Sequence, residues 1–125
     1  MEPSARCALL CQLEPALQAE LREALAGLNF LIYTCSEIAD CCQFNRKQAP
    51  DILFCPFSDQ LQTILASLRK PIPVIVVSRV PDSREWIDAM EAGASDYCAP
   101  PFDKTQLRWM LSTATTPAAA LTAIL

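Results

Sequence analysis

One short stretch, APDILFCPFSD at residues 49–59, has the pattern of a buried strand with an abrupt end. The apolar run Ile52–Cys55 follows the polar Asp51 and stops at Pro56. In parallel sheets, ligands and reacting groups gather just beyond the carboxyl ends of the strands. Proline brings to that place no titratable group, no nucleophile and no N–H donor. The sequence therefore predicts a strand end without the chemistry that its position would favour.

Cysteine thiols are the other reactive groups near predicted strand ends. Cys11, Cys55 and Cys98 fall close to one edge of the predicted sheet, and one interpretation is a thiol-based redox sensor. The alternative is core packing, because buried cysteine commonly behaves as a small apolar residue. With seven cysteines, no histidine and no CxxC spacing, the pattern of a zinc site is missing. The start MEPSARCALL lacks the pattern of a secretory leader, so we expect reduced cytoplasmic thiols.

Strands and helices must alternate along the chain to position these groups. Apolar or β-branched runs predict strands at residues 7–11, 30–34, 52–55, 72–78 and 96–99. Apolar residues at helical spacing predict helices at 13–28, 36–48, 58–70, 81–94 and 103–114. Gly93 is expected to end the fourth helix as a left-handed C-cap. This alternation, with near-continuous apolar strands, indicates a doubly wound α/β sandwich around a parallel sheet.

The composition of the chain excludes several fold and function classes. A chain of 125 residues, 52% hydrophobic and 19% charged, fits one globular domain, predicted at 1–115 with an alanine-rich tail or linker stub at 116–125. The net charge of −4 argues against nucleic-acid binding, which needs a basic face. No apolar run approaches the length of a transmembrane helix, so we expect no membrane contact and a cytoplasmic location.

Four phrases together resemble the receiver domain of two-component response regulators. They are PDILFC, PIPVIVVS, AMEAGASDY and PPFDKTQL, and the resemblance extends over residues 6–114. It implies a flavodoxin-like (βα)5 fold with a five-stranded parallel sheet in the order 2-1-3-4-5. In receivers, an aspartate after the third strand takes a phosphoryl group from a histidine kinase. Two acids after the first strand hold Mg²⁺, and a Ser/Thr and a lysine bind the phosphoryl oxygens.

The resemblance places other residue types at most of those positions. The phosphoacceptor position falls on Pro56, and the lysine position falls on Pro100. The acid pair falls on Gln12 and Leu13, with Glu14 beside them. Phosphoryl transfer needs an attacking carboxylate, and a metal and a cation to neutralise the developing charge. The pattern therefore implies the fold without the chemistry, and we expect no catalytic residue, no metal and no cofactor.

Several residues of this degenerate pocket have two interpretations. Ser78 and Tyr97 match the receiver's hydroxyl and aromatic switch positions; the alternative is local backbone bonding and ring packing. Arg79 stands where receivers have a small residue, and it is expected either to plug the vacated pocket or to lie in solvent. As a plug it would pair with a nearby acid, for which the candidates are Glu14, Asp59 and Asp82. Asp59 is also either a shifted phosphoacceptor or the cap of the third helix.

Two tryptophans mark one surface of the predicted domain. Trp86 in the fourth predicted helix and Trp109 in the fifth stand where receivers usually carry a charged and a small residue. Together with Tyr97 they map to the face formed by the fourth predicted helix, the fifth predicted strand and the fifth predicted helix. Receivers commonly dimerise or meet an effector through this face. We call the surface around Trp86, Tyr97 and Trp109 the tryptophan face. Exposed aromatic residues commonly anchor interfaces, and the alternative is that each ring folds back over an alanine-rich groove.

The residues and the resemblance together predict a pseudo-receiver, which is a phosphorylation-independent protein-interaction module in two-component-type signal transduction and not an enzyme. Its expected partner is another protein or a second copy, bound through the tryptophan face. The alternatives are an orthodox phosphorelay receiver with a shifted acceptor and a cysteine-based redox sensor. Receivers usually carry a cis bond before the proline that matches Pro101, so we also expect a cis Pro100–Pro101 bond.

Overall fold

The structure is a computed structural model, and it describes residues 6–28, 30–37, 40, 50–58, 61–67, 72–80 and 82–114. Five strands and four helices lie within these residues. Most of the second predicted helix, the candidate acceptor Asp59 and the predicted tail 116–125 lie outside the described residues.

The five strands form one parallel sheet. β1 (Arg6–Cys11), β2 (Phe30–Cys35), β3 (Ile52–Cys55), β4 (Val74–Val77) and β5 (Asp96–Cys98) pair in the order β2-β1-β3-β4-β5. The five strands and their order confirm the predicted flavodoxin-like sheet. The register sets Cys11 opposite Cys35 and Cys55 opposite Val76, so the carboxyl ends of these strands share one edge.

Four described helices accompany the sheet. α1 (Pro15–Ala26), α2 (Leu61–Ser67), α3 (Ser83–Ala92) and α4 (Lys104–Ala114) fall within the first, third, fourth and fifth predicted helices. Pro15 suits the first helical position because the N–H that proline lacks would be unpaired there. The Asp82 carboxylate caps α3 by accepting the Arg84 N–H at 2.9 Å. In the part of the chain that the structure describes, no helix has the length and apolar character needed to cross a membrane.

Side-chain alternation along the strands builds one apolar layer on each face of the sheet. Leu10 and Phe54 belong to the layer that contacts α1 and α4, which we call the first layer. Leu9 and Leu53 belong to the layer that contacts α2 and α3, which we call the second layer. The helix residues that complete these layers are Leu17, Leu21, Leu25, Leu107 and Met110 on the first and Leu61, Ile64 and Ala89 on the second.

Gly93 ends α3 in the left-handed conformation that the sequence predicted. Its φ is 115°, and its N–H donates to the carbonyl of Met90 at 3.1 Å. Residues with a side chain rarely adopt this φ. A Cβ at this position would lie 3.3 Å from the Leu65 side chain, so the missing side chain also lets the end of α3 approach α2.

Replacement of Gly93 by alanine should destabilise the fold. The left-handed backbone costs an L-residue about 1–2 kcal/mol, and the free energy of unfolding in urea should fall by roughly that amount. The chain's other glycine provides a matched control, because Gly27 also ends a helix but has a φ of −83°. There the new methyl group would meet only the flexible Lys104 side chain. Equal losses in Gly93→Ala and Gly27→Ala would contradict this account.

Candidate functional site

The end of β1 forms the first part of the degenerate pocket. Gln12 has a φ of 58°, and its N–H donates to the carbonyl of Cys35 at 2.8 Å, so the chain turns at the sheet edge. Leu13 then enters the first layer of the core and is 7% exposed. At the two positions that the resemblance assigned to metal-binding acids, the structure thus has an amide and a core leucine. Neither side chain can balance the charge of a divalent cation.

Arg79 links the loop after β4 to the loop after β1. Its guanidinium forms a two-point ion pair with Glu14, in which Nε donates to Oε2 at 3.2 Å and Nη2 contacts Oε1. Glu14 occupies the N-cap position of α1 without making a side-chain capping bond, and its carboxylate is directed to Arg79 instead. The two side chains are 50% and 56% exposed, so the pair joins two loops at the surface and is not a buried charge.

Prolines stand at the acceptor and lysine positions of the same edge. Pro56 is half-buried directly after the buried Cys55, and it offers no carboxylate. Pro100 precedes Pro101 through a cis bond, which confirms the expected isomer. Proline carries no ammonium group that could pair with an anionic oxygen. Among the described residues, no group of three or more His, Cys, Asp or Glu side chains is arranged to hold a metal ion.

Ser78 and Tyr97, the two residues at the receiver's switch positions, bond to separate partners. The Ser78 hydroxyl donates to the carbonyl of Val80 at 2.9 Å, which closes a local turn. The Tyr97 hydroxyl donates to Oε1 of Glu85 at 3.2 Å, and the ring packs against the second layer. This geometry corresponds to the alternative of local bonding and ring packing.

The α3 part of the tryptophan face is an exposed apolar stripe. Trp86 is 49% exposed, and Ile87 and Met90 are also exposed. At 3.6 residues per turn these three positions lie within about 100° of one another around the helix. Trp86 borders Tyr97 in a shared groove, so the stripe begins beside β5 and continues outward along α3.

Trp109 is the member of the tryptophan face that α4 carries. It is 73% exposed, whereas Leu107 and Met110 on either side of it are buried. Lys104 lies close to Gly27 at the end of α1. Trp109 follows Lys104 by five residues and is therefore rotated from it by about 140° around the helix. Trp109 accordingly lies on the side of α4 that is turned away from α1.

Solved structures share this architecture. A response regulator from Thermotoga maritima superposes with a TM-score of 0.76 at 18% identity, over 90% of this chain and 99% of that one. HP1043, an orphan response regulator of H. pylori, gives 0.72 at 21% identity, over 92% and 100%. The receiver domain of the sensor histidine kinase PA1611 from Pseudomonas aeruginosa gives 0.71 at 18% identity, over 89% and 98%. No protein-family model and no curated protein matches the chain.

The chain has the receiver-domain fold. These matches cover between 89% and 92% of this chain. At these levels of sequence identity the similarity establishes the architecture.

The receiver fold divides the predicted thiol site between the two faces of the sheet. Cys11 and Cys55 lie in the second layer, whereas Cys98 lies in the first. Burial raises the pKa of Cys55 to about 12. Burial, together with the nearby Asp96, raises the pKa of Cys98 to about 12 as well. Both thiols are protonated at neutral pH and are poor nucleophiles, because the thiolate is the reactive form.

Two cysteines contradict the expectation that all thiols are reduced. Cys11 and Cys35 are disulfide-bonded in the structure, whereas Cys7, Cys55 and Cys98 are free. The parallel register aligns Cys11 with Cys35 at the ends of β1 and β2. Strand pairing thus brings together cysteines that are far apart along the chain. The CxxC pattern could not indicate this, since it detects only neighbours in sequence.

Sequence reasoning also missed Glu85, the acceptor for the Tyr97 hydroxyl. Glu85 lies in the first turn of α3, where the helix dipole favours an acid. The dipole alone accounts for an acid at this position, so the sequence does not indicate a further role for it. The two residues meet only after α3 packs against β5. The sequence signal for this bond was an acid in the first turn of the fourth predicted helix. Such an acid does not by itself identify a tyrosine as its partner.

A rise in pH above 9 should destabilise the fold through Cys55 and Cys98. In the folded chain both thiols keep their protons until about pH 12, whereas in the unfolded chain they lose them near the ordinary value of 9.0. Unfolding therefore releases protons in this window, and stability should fall by up to about 1.4 kcal/mol per pH unit for each thiol. Below pH 9 neither thiol adds a pH dependence.

Urea unfolding in the presence of a reductant, repeated from neutral pH upward, measures this slope. The control is the double variant Cys55→Ala/Cys98→Ala. It should start from a lower stability, because two core side chains are shortened, but its stability should decline less steeply above pH 9. An unchanged slope in the double variant would show that other groups cause the alkaline decline.

Proposed function

We propose that this chain is a pseudo-receiver, a phosphorylation-independent protein-interaction module of two-component-type signal transduction. It acts by binding and not by catalysis, and it needs no resident metal or cofactor. The receiver fold supports the signalling context. The observation that carries the proposal is the ion pair between Arg79 and Glu14, which engages the acid that stands next to the former metal-ligand positions.

The charges at the carboxyl edge support the absence of phosphoryl transfer. That reaction needs anionic ligands for a metal and an attacking carboxylate. Gln12 and Leu13 take the ligand positions, and Pro56 takes the acceptor position. The Glu14 carboxylate is already paired with the Arg79 guanidinium. The PA1611 receiver domain coordinates a magnesium ion in its active-site cleft, and the groups named here do not supply the charge for an equivalent site.

The tryptophan face supports a role in protein binding. On α3, the exposed Trp86, Ile87 and Met90 form one stripe, and Trp109 is exposed on α4. Contiguous exposed apolar surface on a folded domain commonly marks an interaction site, and tryptophan is enriched among the residues that dominate interfaces. The partner is another protein or a second copy of this chain.

A thiol-based redox sensor is the second candidate function, and the disulfide-bonded state of Cys11 and Cys35 favours it. Oxidation of two thiols to a disulfide releases two protons and two electrons, which a peroxide would accept as it is reduced. Gln12 follows Cys11 directly and donates its N–H to the Cys35 carbonyl. A change in the oxidation state would therefore act on the turn at the end of β1.

The protein should take up no phosphoryl group from acetyl phosphate in the presence of Mg²⁺, and it should not bind Mg²⁺ at millimolar concentration. The reason is the missing acids at Gln12 and Leu13 and the missing carboxylate at Pro56. Intact-mass spectrometry detects the label, and calorimetric titration detects the metal. The PA1611 receiver domain is a positive control for the titration, because it coordinates magnesium.

A stoichiometric label that hydroxylamine removes would contradict the pseudo-receiver proposal. Loss of that label in Asp59→Asn would then assign phosphorylation to the shifted acceptor. Retention of the label in Asp59→Asn would place the acceptor elsewhere.

Trp86→Ala and Trp109→Ala should weaken self-association or partner binding while leaving thermal stability nearly unchanged. Truncation of a central aromatic anchor typically costs an interface about 2 kcal/mol or more, whereas an exposed ring adds little to the stability of the monomer. Sedimentation measures self-association, and thermal melts measure stability. Leu31→Ala is the matched control, because Leu31 is also exposed but lies on β2 at the opposite edge of the sheet.

If both tryptophan variants melt several degrees lower and bind normally, the tryptophans stabilise the fold and the interface lies elsewhere. Repetition of the binding measurement with dithiothreitol separates the two candidate functions. Loss of binding on reduction, with normal binding by both tryptophan variants, would support the redox sensor instead.

A further inference from the structure

We propose that the tryptophan face binds a basic amphipathic segment of a partner protein, and that an arginine or lysine side chain of this segment enters the groove between α3 and β5. The inference rests on the proposed function and specifies the chemistry of the partner at the same face. The groove has a volume of about 350 Å³. Its lining residues are Asp82, Ser83, Trp86, Asp96 and Tyr97.

The lining of this groove suits a cation on a long apolar stem. Trp86 and Tyr97 supply two aromatic rings, and Asp82 and Asp96 supply two carboxylates. The guanidinium of arginine stacks on aromatic rings and pairs with carboxylates, and the lysine ammonium is attracted to the same groups. No basic side chain belongs to the described lining. The groove therefore has the complementary groups for a cation, and none of its described lining residues supplies one.

Hydrogen bonds hold both carboxylates in position. Oδ1 of Asp82 accepts the Arg84 N–H at 2.9 Å, and Oδ1 of Asp96 accepts the Tyr97 N–H at 2.8 Å. Each bond is to backbone close by in sequence, so neither side chain has to reorient to meet a ligand. For the second oxygen, Oδ2, of each carboxylate no described residue supplies a donor. These oxygens are available to accept hydrogen bonds from a partner's cationic group.

The wider charge distribution favours approach of a basic partner. Residues 82–96 contain five carboxylates and one guanidinium, which is a net charge of −4 in this segment. The whole chain also has a net charge of −4, so the rest of the sequence is balanced. A field concentrated on one side of a domain steers oppositely charged partners to it.

The apolar stripe beside the groove indicates that the occupant is a protein segment and not a small cation. Trp86, Ile87 and Met90 are exposed next to the groove, and a free amine or a metal ion would leave them exposed. A helix with apolar residues on one side and basic residues on its flank would cover the stripe and fill the groove together. A second copy that met this chain through the same segment would bring two charges of −4 together, which is unfavourable. The charge distribution therefore favours a different, basic protein.

The test uses a synthetic amphipathic peptide of leucine and arginine, and the same peptide with glutamate in place of arginine. Each peptide is titrated into the isotopically labelled protein, and amide NMR shifts across residues 82–96 report binding. The arginine peptide should bind, and the glutamate peptide should not. Asp96→Asn should weaken binding about fivefold or more, which corresponds to the loss of one charge-assisted contact.

Two features of the variants keep the test specific. Asn at position 96 retains the Oδ1 that accepts the Tyr97 N–H, so the fold should be preserved. Asp88→Asn removes the same charge from α3 but at a position about 160° around the helix from Trp86. It should therefore change the affinity much less than Asp96→Asn does.

Equal weakening in both variants would overturn the inference, because binding would then follow net charge and not the groove. Equal affinity of the protein for the glutamate peptide and the arginine peptide would overturn it as well. A loss of self-association in Asp96→Asn would also overturn it, because a second copy of the chain would then be the occupant of the groove. These results leave the proposed function intact if Trp86→Ala still weakens partner binding. Phosphoryl labelling would overturn the proposed function without changing the peptide result.

Discussion

Two-sided burial of the central strands is the constraint on which the rest of this structure depends. The side chains of β3 and β4 are at most 1% exposed, so each strand needs helices on both faces of the sheet. The parallel order follows from helical crossovers, and it places the carboxyl ends at one edge. Among the loop residues at that edge, Leu13 belongs to the first layer and Phe57 packs against the second, whereas Gln12, Pro56 and Pro100 belong to neither layer. The two layers, and with them the receiver fold, therefore do not depend on the residue types at these three positions.

The parts of the fold that depend on local pattern were predictable from the sequence. Ile52–Cys55 was predicted at its observed bounds because Pro56 ends an apolar run of four residues. Gly93 was predicted as a left-handed cap because glycine adopts that φ without a steric penalty. The strand order is different, since alternation of strands and helices predicts a parallel sheet but not which strands are neighbours. That order came from the resemblance to receivers, and the structure confirms it.

The candidate site was less predictable, because its contacts join distant segments. The residue types at Pro56 and Pro100 are visible in the sequence, and they suffice to argue that reactive groups are missing. The choice among three acids for Arg79 depends on how the loops after β1 and β4 approach each other, and the structure pairs it with Glu14. The bond between Tyr97 and Glu85 depends on the packing of α3 against β5 in the same way.

The degenerate pocket and the tryptophan face are physically connected through the loop that enters α3. The Ser78 hydroxyl donates to the Val80 carbonyl and closes a turn. Arg79, within this turn, forms the ion pair with Glu14. Asp82 then caps α3, the helix that carries Trp86. Tyr97, on the neighbouring strand, is bonded to Glu85 of the same helix. Of these contacts, the bond between Tyr97 and Glu85 joins α3 to β5 and favours one arrangement of the two elements. A surface that is already ordered loses less conformational freedom when it binds, so under the proposed function the bond between Tyr97 and Glu85 would strengthen recognition at the tryptophan face without any switching step.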